Sequence, residues 1–293
     1  MSQEQKPGQV VFTNKARCRD CYRCLRVCPV KAIKMEKGQA SVMADRCISC
    51  GTCVRECPQK AKTFRNEVEK ARRLLAENRV VAVSLAPSYV ALFSDWERKR
   101  LPSALRKLGF SYAAETAIGA WHVAKASVEK AKTSTGSSIC TACPAVVRYV
   151  ERYVPELADK LLPVASPMIA HARLLKQALG DAAKVVFVGP CIAKKSEAER
   201  PEYAGLVDGV LTFSELDEWF KQERIHLKHL EESRFNDEPA GQARFFPLPG
   251  GLIRTADLVG DHLAHDSIAV SGFDDVKRLL ENLPSMKGPV LIE

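Results

Sequence analysis

What this 293-residue sequence lacks narrows its class before anything it contains. No run of eighteen apolar residues occurs, so no transmembrane helix is expected. The opening stretch, Met1 to Gln9, is polar and holds no apolar signal core, which argues against secretion by that route. No helix-turn-helix or zinc-finger pattern is found, so the net charge of +9 is not read as nucleic-acid binding and no nucleic-acid partner is expected. No internal repeat appears outside one short cysteine-rich segment. Apolar residues are not scarce: at 46% they suit a globular core, and the length allows one large domain or two ordinary ones.

What is abundant is cysteine. There are eleven, eight of them within some forty residues, in spacings that suit metal and not a disulfide network. The expected compartment is reducing, the cytoplasm, in an oxygen-poor setting such as an anaerobe. The excess of Lys and Arg is either a solvated basic face or a surface that steers an acidic electron-transfer partner into place.

The eight form two runs, Cys18, Cys21, Cys24, Cys28-Pro29 and Cys47, Cys50, Cys53, Cys57-Pro58. Each is C-x2-C-x2-C-x3-C-P, the spacing of two [4Fe–4S] clusters in which the fourth cysteine serves the other cluster. The expected sets are Cys18, Cys21, Cys24 with Cys57, and Cys47, Cys50, Cys53 with Cys28. Zinc competes, but four-cysteine zinc sites use separated pairs, not triplets followed by Cys-Pro. Ala32-Ile33 and Ser41-Val42 read as a hairpin turning at Gly38, with Ile33, Val42 and Ile48 shielding the clusters. Residues 17 to 59 thus resemble bacterial two-cluster ferredoxins. Such a segment carries electrons but cannot itself break a strong bond.

The organisation expected is a ferredoxin-like α+β domain over 1–60, a charged helical connector over 61–79 and an α/β domain with a mostly parallel sheet over 80–293. Strands are read at Val80 to Leu85, Leu161 to Ala165, Lys184 to Val188, Val210 to Phe213, Ser267 to Val270 and Pro289 to Ile292. Helices are read at Tyr89 to Lys107, Ala145 to Tyr153, Ile169 to Leu179 and Ser214 to Phe220. Three of the strands run into proline turns, Ala86-Pro87, Ser166-Pro167 and Pro190-Cys191. Ligands in open α/β sheets gather beyond carboxyl strand ends, so these turns are read as lining a cofactor site.

Three cysteines remain. Cys140-Thr-Ala-Cys143-Pro144 opens a helix, whose positive end favours a thiolate, and Cys191 follows a strand. Spacing alone leaves these residues open between a third cluster and ordinary buried packing.

Several segments in the correct order resemble the cluster-bearing domain of [FeFe]-hydrogenases. Cys140-Thr-Ala-Cys143-Pro, continuing through Val147-Arg148-Tyr149 to Pro155-Glu156-Leu157, is similar to that family's T-S-C-C-P motif and the stretch behind it. Gly189-Pro-Cys191-Ile-Ala-Lys194-Lys195-Ser-Glu197 resembles M-P-C-x-x-K-x-x-E. Arg79 to Pro87, Leu101 to Ala120 and Phe246 to Arg254 match further segments. The resemblance implies that Cys143 and Cys191 hold a third [4Fe–4S] cube joined to a two-iron centre with CO and cyanide ligands. It implies that Lys194 donates to a cyanide, with a surface lysine as the plainer reading. Pro289-Val-Leu-Ile-Glu293 is similar to the lead-in to a final C-P-G-G-C, so more sequence carrying the last two cysteines is expected beyond Glu293.

The departures concern protons and space. Ala142 stands where the family has its proton-passing cysteine, and a methyl group relays nothing. Gly189 replaces a methionine and is expected to leave extra room. Ala126 and Ser127 stand near the register of paired carboxylates. Ser166-Pro-Met-Ile-Ala-His171 departs from S-P-Q-Q-M, and His171 is either a substitute proton carrier or a helix-face histidine with no role. This pattern resembles the family's sensory branch, which implies sensing of H2 or redox state and a downstream signalling domain. Two rivals stand: a hydrogenase interconverting H2 with protons and electrons, and a plain iron–sulfur carrier or scaffold.

Overall fold

The computed structural model describes residues 8–134, 136–237, 242–256, 266–286 and 290–293. Of the expected sixth strand, Pro289 lies outside the described residues.

The cysteine-rich segment folds as a doubled unit. Short helices Arg23–Val27 and Thr52–Arg55 follow corresponding cysteines in the two runs. Between them, strands Ile33–Glu36 and Gln39–Val42 pair antiparallel, with Ile33 opposite Val42. Lys37 and Gly38 turn the chain with φ of 49° and 71°, the paired positive angles a tight hairpin needs. Strand Lys62–Phe64 pairs back onto Val11–Thr13, inside the stretch read from sequence as connector. The connector helix itself is shorter than expected, Val68–Glu77.

Four parallel strands form the main sheet, in the order Tyr112–Glu115, Val81–Leu85, Lys184–Gly189, Gly209–Thr212. Val81–Leu85 is buried at every position, as a central parallel strand covered on both faces must be. The chain starts at Val81–Leu85, steps to one side, then crosses to Lys184–Gly189 on the other. The strand order therefore reverses between these two strands, where crevices open in such sheets. Their carboxyl ends carry Ala86-Pro87 and Pro190-Cys191. A second parallel sheet joins Asp266–Ile268, Val290–Ile292 and Ser138–Ile139.

Two expectations need correcting. Leu161 to Ala165 is not a strand: it contributes one isolated bridge, Leu161 to Ile139, because the strand it meets is only two residues long. Tyr89 to Lys107 is not one helix but a 3₁₀ turn, Pro87–Ala91, and two α-helices, Asp95–Arg98 and Leu101–Lys107. Ser94 caps the first of these helices by a reciprocal bond with Glu97, and Pro102 opens the second. The longest helix, Ala117–Lys132, packs beside Pro167–Leu179. Gly119 makes that approach possible, since a Cβ there would stand 2.5 Å from the Pro167 carbonyl.

The cysteine-rich lobe is not a loose appendage. Val10, Ile33 and Ile48 share one apolar cluster with Tyr149, Val150, Ile192 and Ile292. Helix Pro144–Tyr153 docks on the loop before Cys47: Arg152 donates to the Asp45 and Cys47 carbonyls at 2.7 and 3.1 Å, and the Tyr153 hydroxyl to Arg46 at 2.7 Å. On the other side Glu67 accepts from the Val210 N–H at 3.0 Å, and Lys195, fully buried, bridges the Val210 carbonyl and Glu215. These bonds satisfy buried charges that would otherwise be costly.

Candidate functional site

The two cysteine runs cross over in space. Cys57, from the second run, stands with Cys18, Cys21 and Cys24 around one cavity, also lined by Met35, Ala40 and Lys62. Cys28, from the first run, stands with Cys47, Cys50 and Cys53, close enough for their charges to repel. Backbone N–H groups turn to the sulfurs in a repeated way. Ala32 donates to Cys28 Sγ at 3.2 Å, and Ala61, at the matching place in the other half, donates to Cys57 Sγ at 3.3 Å. Left-handed backbone recurs in register as well: Asp20 with Ser49, Tyr22 with Gly51, Lys31 with Lys60. Residues of this hand between right-handed ones aim successive N–H groups into a concavity, as anionic clusters require.

The thiols surround spaces and not a point. Among the described residues, no three His, Cys, Asp or Glu side chains meet closely enough for a single metal ion. A zinc site would draw four sulfurs to about 2.3 Å from one centre. Burial pushes the Cys24 and Cys47 thiols up, and Cys53 up to about 12. At Cys57 burial also opposes ionisation, but the N–H groups of Lys62, Ala61 and Gln59 outweigh it and hold the thiol below its usual value. Burial thus keeps Cys24, Cys47 and Cys53 protonated without metal, and binding iron must expel those protons. The donors, left-handed turns and crossed thiols fit two [4Fe–4S] groups.

A larger cavity, about 670 Å³, opens at the reversal point of the main sheet. Ala86, Pro87, Pro190, Cys191 and Lys194 line it, with Cys140 and Cys143 on the facing wall and Phe246 to Pro249 along the edge. Cys50 and Thr52 of the cysteine-rich lobe line it too. The second sheet shapes that wall: Cys140 N–H donates to the Ile292 carbonyl at 2.8 Å, just beyond paired strand ends. Glu293 lines the cavity and accepts from the Leu252 N–H at 3.0 Å. Burial raises its carboxyl above the usual range against the N–H groups of residues 250 to 253. The buried Glu115 receives Arg244, which ties the Phe246 segment down over the site.

Individual expectations fare differently. Lys194 is not a surface lysine but 8% exposed, and donates to Glu197 at 2.7 Å and the Ala142 carbonyl at 3.0 Å. An ammonium has three protons, so one remains beyond these two bonds, and Lys194 lines the cavity. Ser166 does not line the cavity; its neighbour Pro167 does, and Ser166 Oγ is buried without a partner among the described residues. Ala142 lines the cavity as expected. Gly189 leaves no extra room, because a Cβ there would stand 2.6 Å from the Phe187 ring. Phe187, two residues back on the same strand, fills the volume and itself lines the cavity. Sequence reading passed over Phe187, Thr116 and Cys50 as cavity residues. The only signal for Cys50 was that a cluster ligand must face whatever its electrons reach.

His171 is buried, with Nδ1 2.8 Å from Ser84 Oγ, which in turn lies 2.7 Å from Thr116 Oγ1 on the cavity wall. Its Nε2 has no partner among the described residues. Burial alone pushes its pKa down to about 3, so it is neutral in the fold. The unfolded chain takes up a proton below about pH 6.5 that the fold refuses, so stability falls as pH drops from there, by up to about 1.4 kcal/mol per unit. Urea unfolding of His171→Asn between pH 7.5 and 5.5 is expected to show a flatter acid limb. A slope equal to that of the unaltered protein would mean that His171 is charged in the fold.

Residues 79–289 match the model for the iron only hydrogenase large subunit, C-terminal domain. The chain belongs to this family. Residues 10–58 match a 4Fe-4S dicluster domain. The periplasmic [Fe] hydrogenase large subunit of Nitratidesulfovibrio vulgaris is 29% identical over 93% of this chain and 74% of its own length. Iron hydrogenase 1 of Clostridium pasteurianum is 30% identical over 62% of this chain, but only 37% of its own length is covered. The cytosolic Fe-S cluster assembly factor NAR1 of Vanderwaltozyma polyspora is 38% identical over a shorter stretch, 30% of this chain and 17% of that protein. A solved [FeFe]-hydrogenase superposes with a TM-score of 0.60 at 18% identity, covering 78% of this chain and 82% of the other, which shows the shared fold. This hydrogenase-family chain thus carries a dicluster lobe, and its work is redox chemistry. No helix among the described residues is long and apolar enough to cross a membrane.

Proposed function

We propose that this chain moves electrons between its surface and a hydrogenase-type cavity, where they are exchanged with H2 and protons. One observation carries the reading: Cys50, from the second cysteine run, lines the same cavity as Cys143 and Cys191. The wire ends where the chemistry would occur. Cys18, Cys21, Cys24 and Cys57 hold the outer cluster; Cys28, Cys47, Cys50 and Cys53 hold the inner one. Cys143 and Cys191 hold a third cube. An attached two-iron centre would supply the chemistry that interconverts H2 with protons and electrons when bound. The chain's own residues do the rest. Pro87, Ala86 and Pro190 wall the site, Phe187 and Phe246 keep water out, and the remaining Lys194 proton meets an anionic ligand.

Electrons reach the outer cluster from a redox partner protein. Within residues 8–60, eleven Lys and Arg stand against four Asp and Glu, so the lobe carries most of the excess charge and suits an acidic carrier. The cytoplasm is the proposed compartment, as the name of the assembly-factor relatives states for those proteins.

A slower, sensory version of the same chemistry is the second reading. Ala142 favours it: it lies on the cavity wall without a side chain that moves a proton. A downstream signalling domain would then receive the electrons or the conformational signal. The test is anaerobically matured, full-length protein. CO and cyanide infrared bands that shift under H2 are expected. Evolution of H2 from reduced methyl viologen at enzyme-like rates would select the catalytic version over the sensory one. Cubane spectra with no CO or cyanide bands would overturn both and leave an iron–sulfur carrier or scaffold.

A further inference from the structure

Lys62 is an ammonium buried among thiols. It is 4% exposed and lines the cavity ringed by Cys18, Cys21, Cys24 and Cys57. Its Nζ donates to Thr13 Oγ1 at 2.6 Å, across the strand pair where Thr13 and Lys62 stand opposite. Among the described residues no carboxylate lies within ion-pair reach of it, although every other buried lysine here has one: Lys176 with Asp208, Lys194 with Glu197, Lys195 with Glu215. A buried cation held by one hydroxyl is costly unless a counter-charge is supplied. Its charge acts on Cys24 and Cys57 on one side and on Cys53, of the other set, on the other.

The internal repeat sharpens the point. Ala61-Lys62 follows Cys57-Pro58 as Ala32-Ile33 follows Cys28-Pro29. The Ala N–H bonds to the cysteine sulfur in both halves, yet the next residue is buried Ile33 in one and buried Lys62 in the other. The fold accepts an apolar side chain at this position, so the lysine is not demanded by packing. A cubane held by four thiolates is an anion, and taking up an electron makes it more negative. A fixed cation beside it stabilises the reduced state more than the oxidised one, which raises the potential.

We propose that Lys62 is the internal counter-ion of the two N-terminal clusters, raising the reduction potential of both and that of the outer cluster more. The inference rests on the dicluster assignment and deepens it. The outer cluster becomes the place where an electron rests, so electrons released at the inner cavity drain outward to the surface. That direction suits H2 oxidation or sensing better than H2 evolution.

The experiment is an EPR-monitored redox titration of the full protein. Lys62→Ile gives this half the residue the other half already carries. Lys62→Gln keeps a hydrogen-bond donor to Thr13 and removes the charge. Both variants are expected to retain two clusters by iron analysis. In both, the outer-cluster reduction equilibrium should fall at least tenfold, equal to about 59 mV for one electron, with a smaller fall at the inner cluster. Lys34→Gln, on the exposed side of the hairpin, should leave both potentials in place. Wild-type potentials in both Lys62 variants with full iron content would overturn the proposal. So would failure of both to assemble clusters while Lys34→Gln assembles normally, since a tuning charge is dispensable for assembly. Absence of cubane signals in the unaltered protein would instead sink the dicluster assignment itself.

Discussion

Replacing Cys57 by Ala is expected to remove the cluster of the first cysteine run while leaving that of the second. Cys57 lies in the second run by sequence, but the structure sets it with Cys18, Cys21 and Cys24. About half of the lobe's iron should be lost. The EPR signal that survives should be the one that Cys47→Ala abolishes. Loss of the other signal would mean that each run serves its own cluster. The structural consequence is also large. The segment from Val10 to Phe64 has few buried apolar residues of its own, chiefly Val10, Val11, Val30, Ala32, Ile33, Ala40 and Ile48. So small a core leaves cluster binding to supply much of the folding free energy. Full removal of iron by chelation should therefore unfold this lobe and expose it to protease. The sheet domain, with Val81 to Leu85 and Val185 to Val188 wholly buried, should stay folded. Hydrogen exchange resolved along the chain would separate the two, and uniform protection without iron would contradict the account.

The difference in core size also explains what could be read from the sequence. Ligand spacing is local, so the cysteine runs announced their fold and their crossing. Lys184 to Val188 could be read because a buried parallel strand is an unbroken apolar run, here ended by Gly189-Pro190. Tyr112–Glu115 could not: Tyr-Ala-Ala-Glu has no β-branched residue, and only its ladder to Val81–Leu85 makes it a strand. Ser138–Ile139 is shorter still and depends on Leu291 and Ile292 arriving from the far end of the chain. Ala117–Lys132 buries alanines on a broad face against Pro167–Leu179, so its apolar stripe is faint. At the site, the turns at Ala86-Pro87 and Pro190-Cys191 were legible from proline placement. The filling of the space beside Gly189 was not, because it depends on which way the Phe187 ring folds back. Lys62 was passed over because its burial appears only once the strand pairs with Val11–Thr13.

Ala142→Cys is the substitution expected to change turnover most. Ala142 precedes Cys143 at the helix opening, and both line the large cavity. Its carbonyl is fixed by Lys194 at 3.0 Å, so the backbone there is held and a new side chain would project from a defined place. Phe187, Phe246 and Leu252 border the same space, and a thiol among such groups stays protonated near neutral pH. It can therefore give a proton and take one back. General acid–base groups typically contribute about 10²- to 10⁴-fold. Matured Ala142→Cys protein should evolve H2 from reduced methyl viologen faster by a factor of that order. Ala142→Ser should gain less, since a hydroxyl is a much weaker acid than a thiol. Cluster content and infrared bands should match those of the unaltered protein, which separates proton delivery from assembly. Equal rates with and without the thiol, at equal cluster loading, would show that protons already reach the cavity by another route. The buried chain Thr116–Ser84–His171 would then be the next group to alter, because Thr116 lines the cavity and the far nitrogen of His171 has no partner among the described residues.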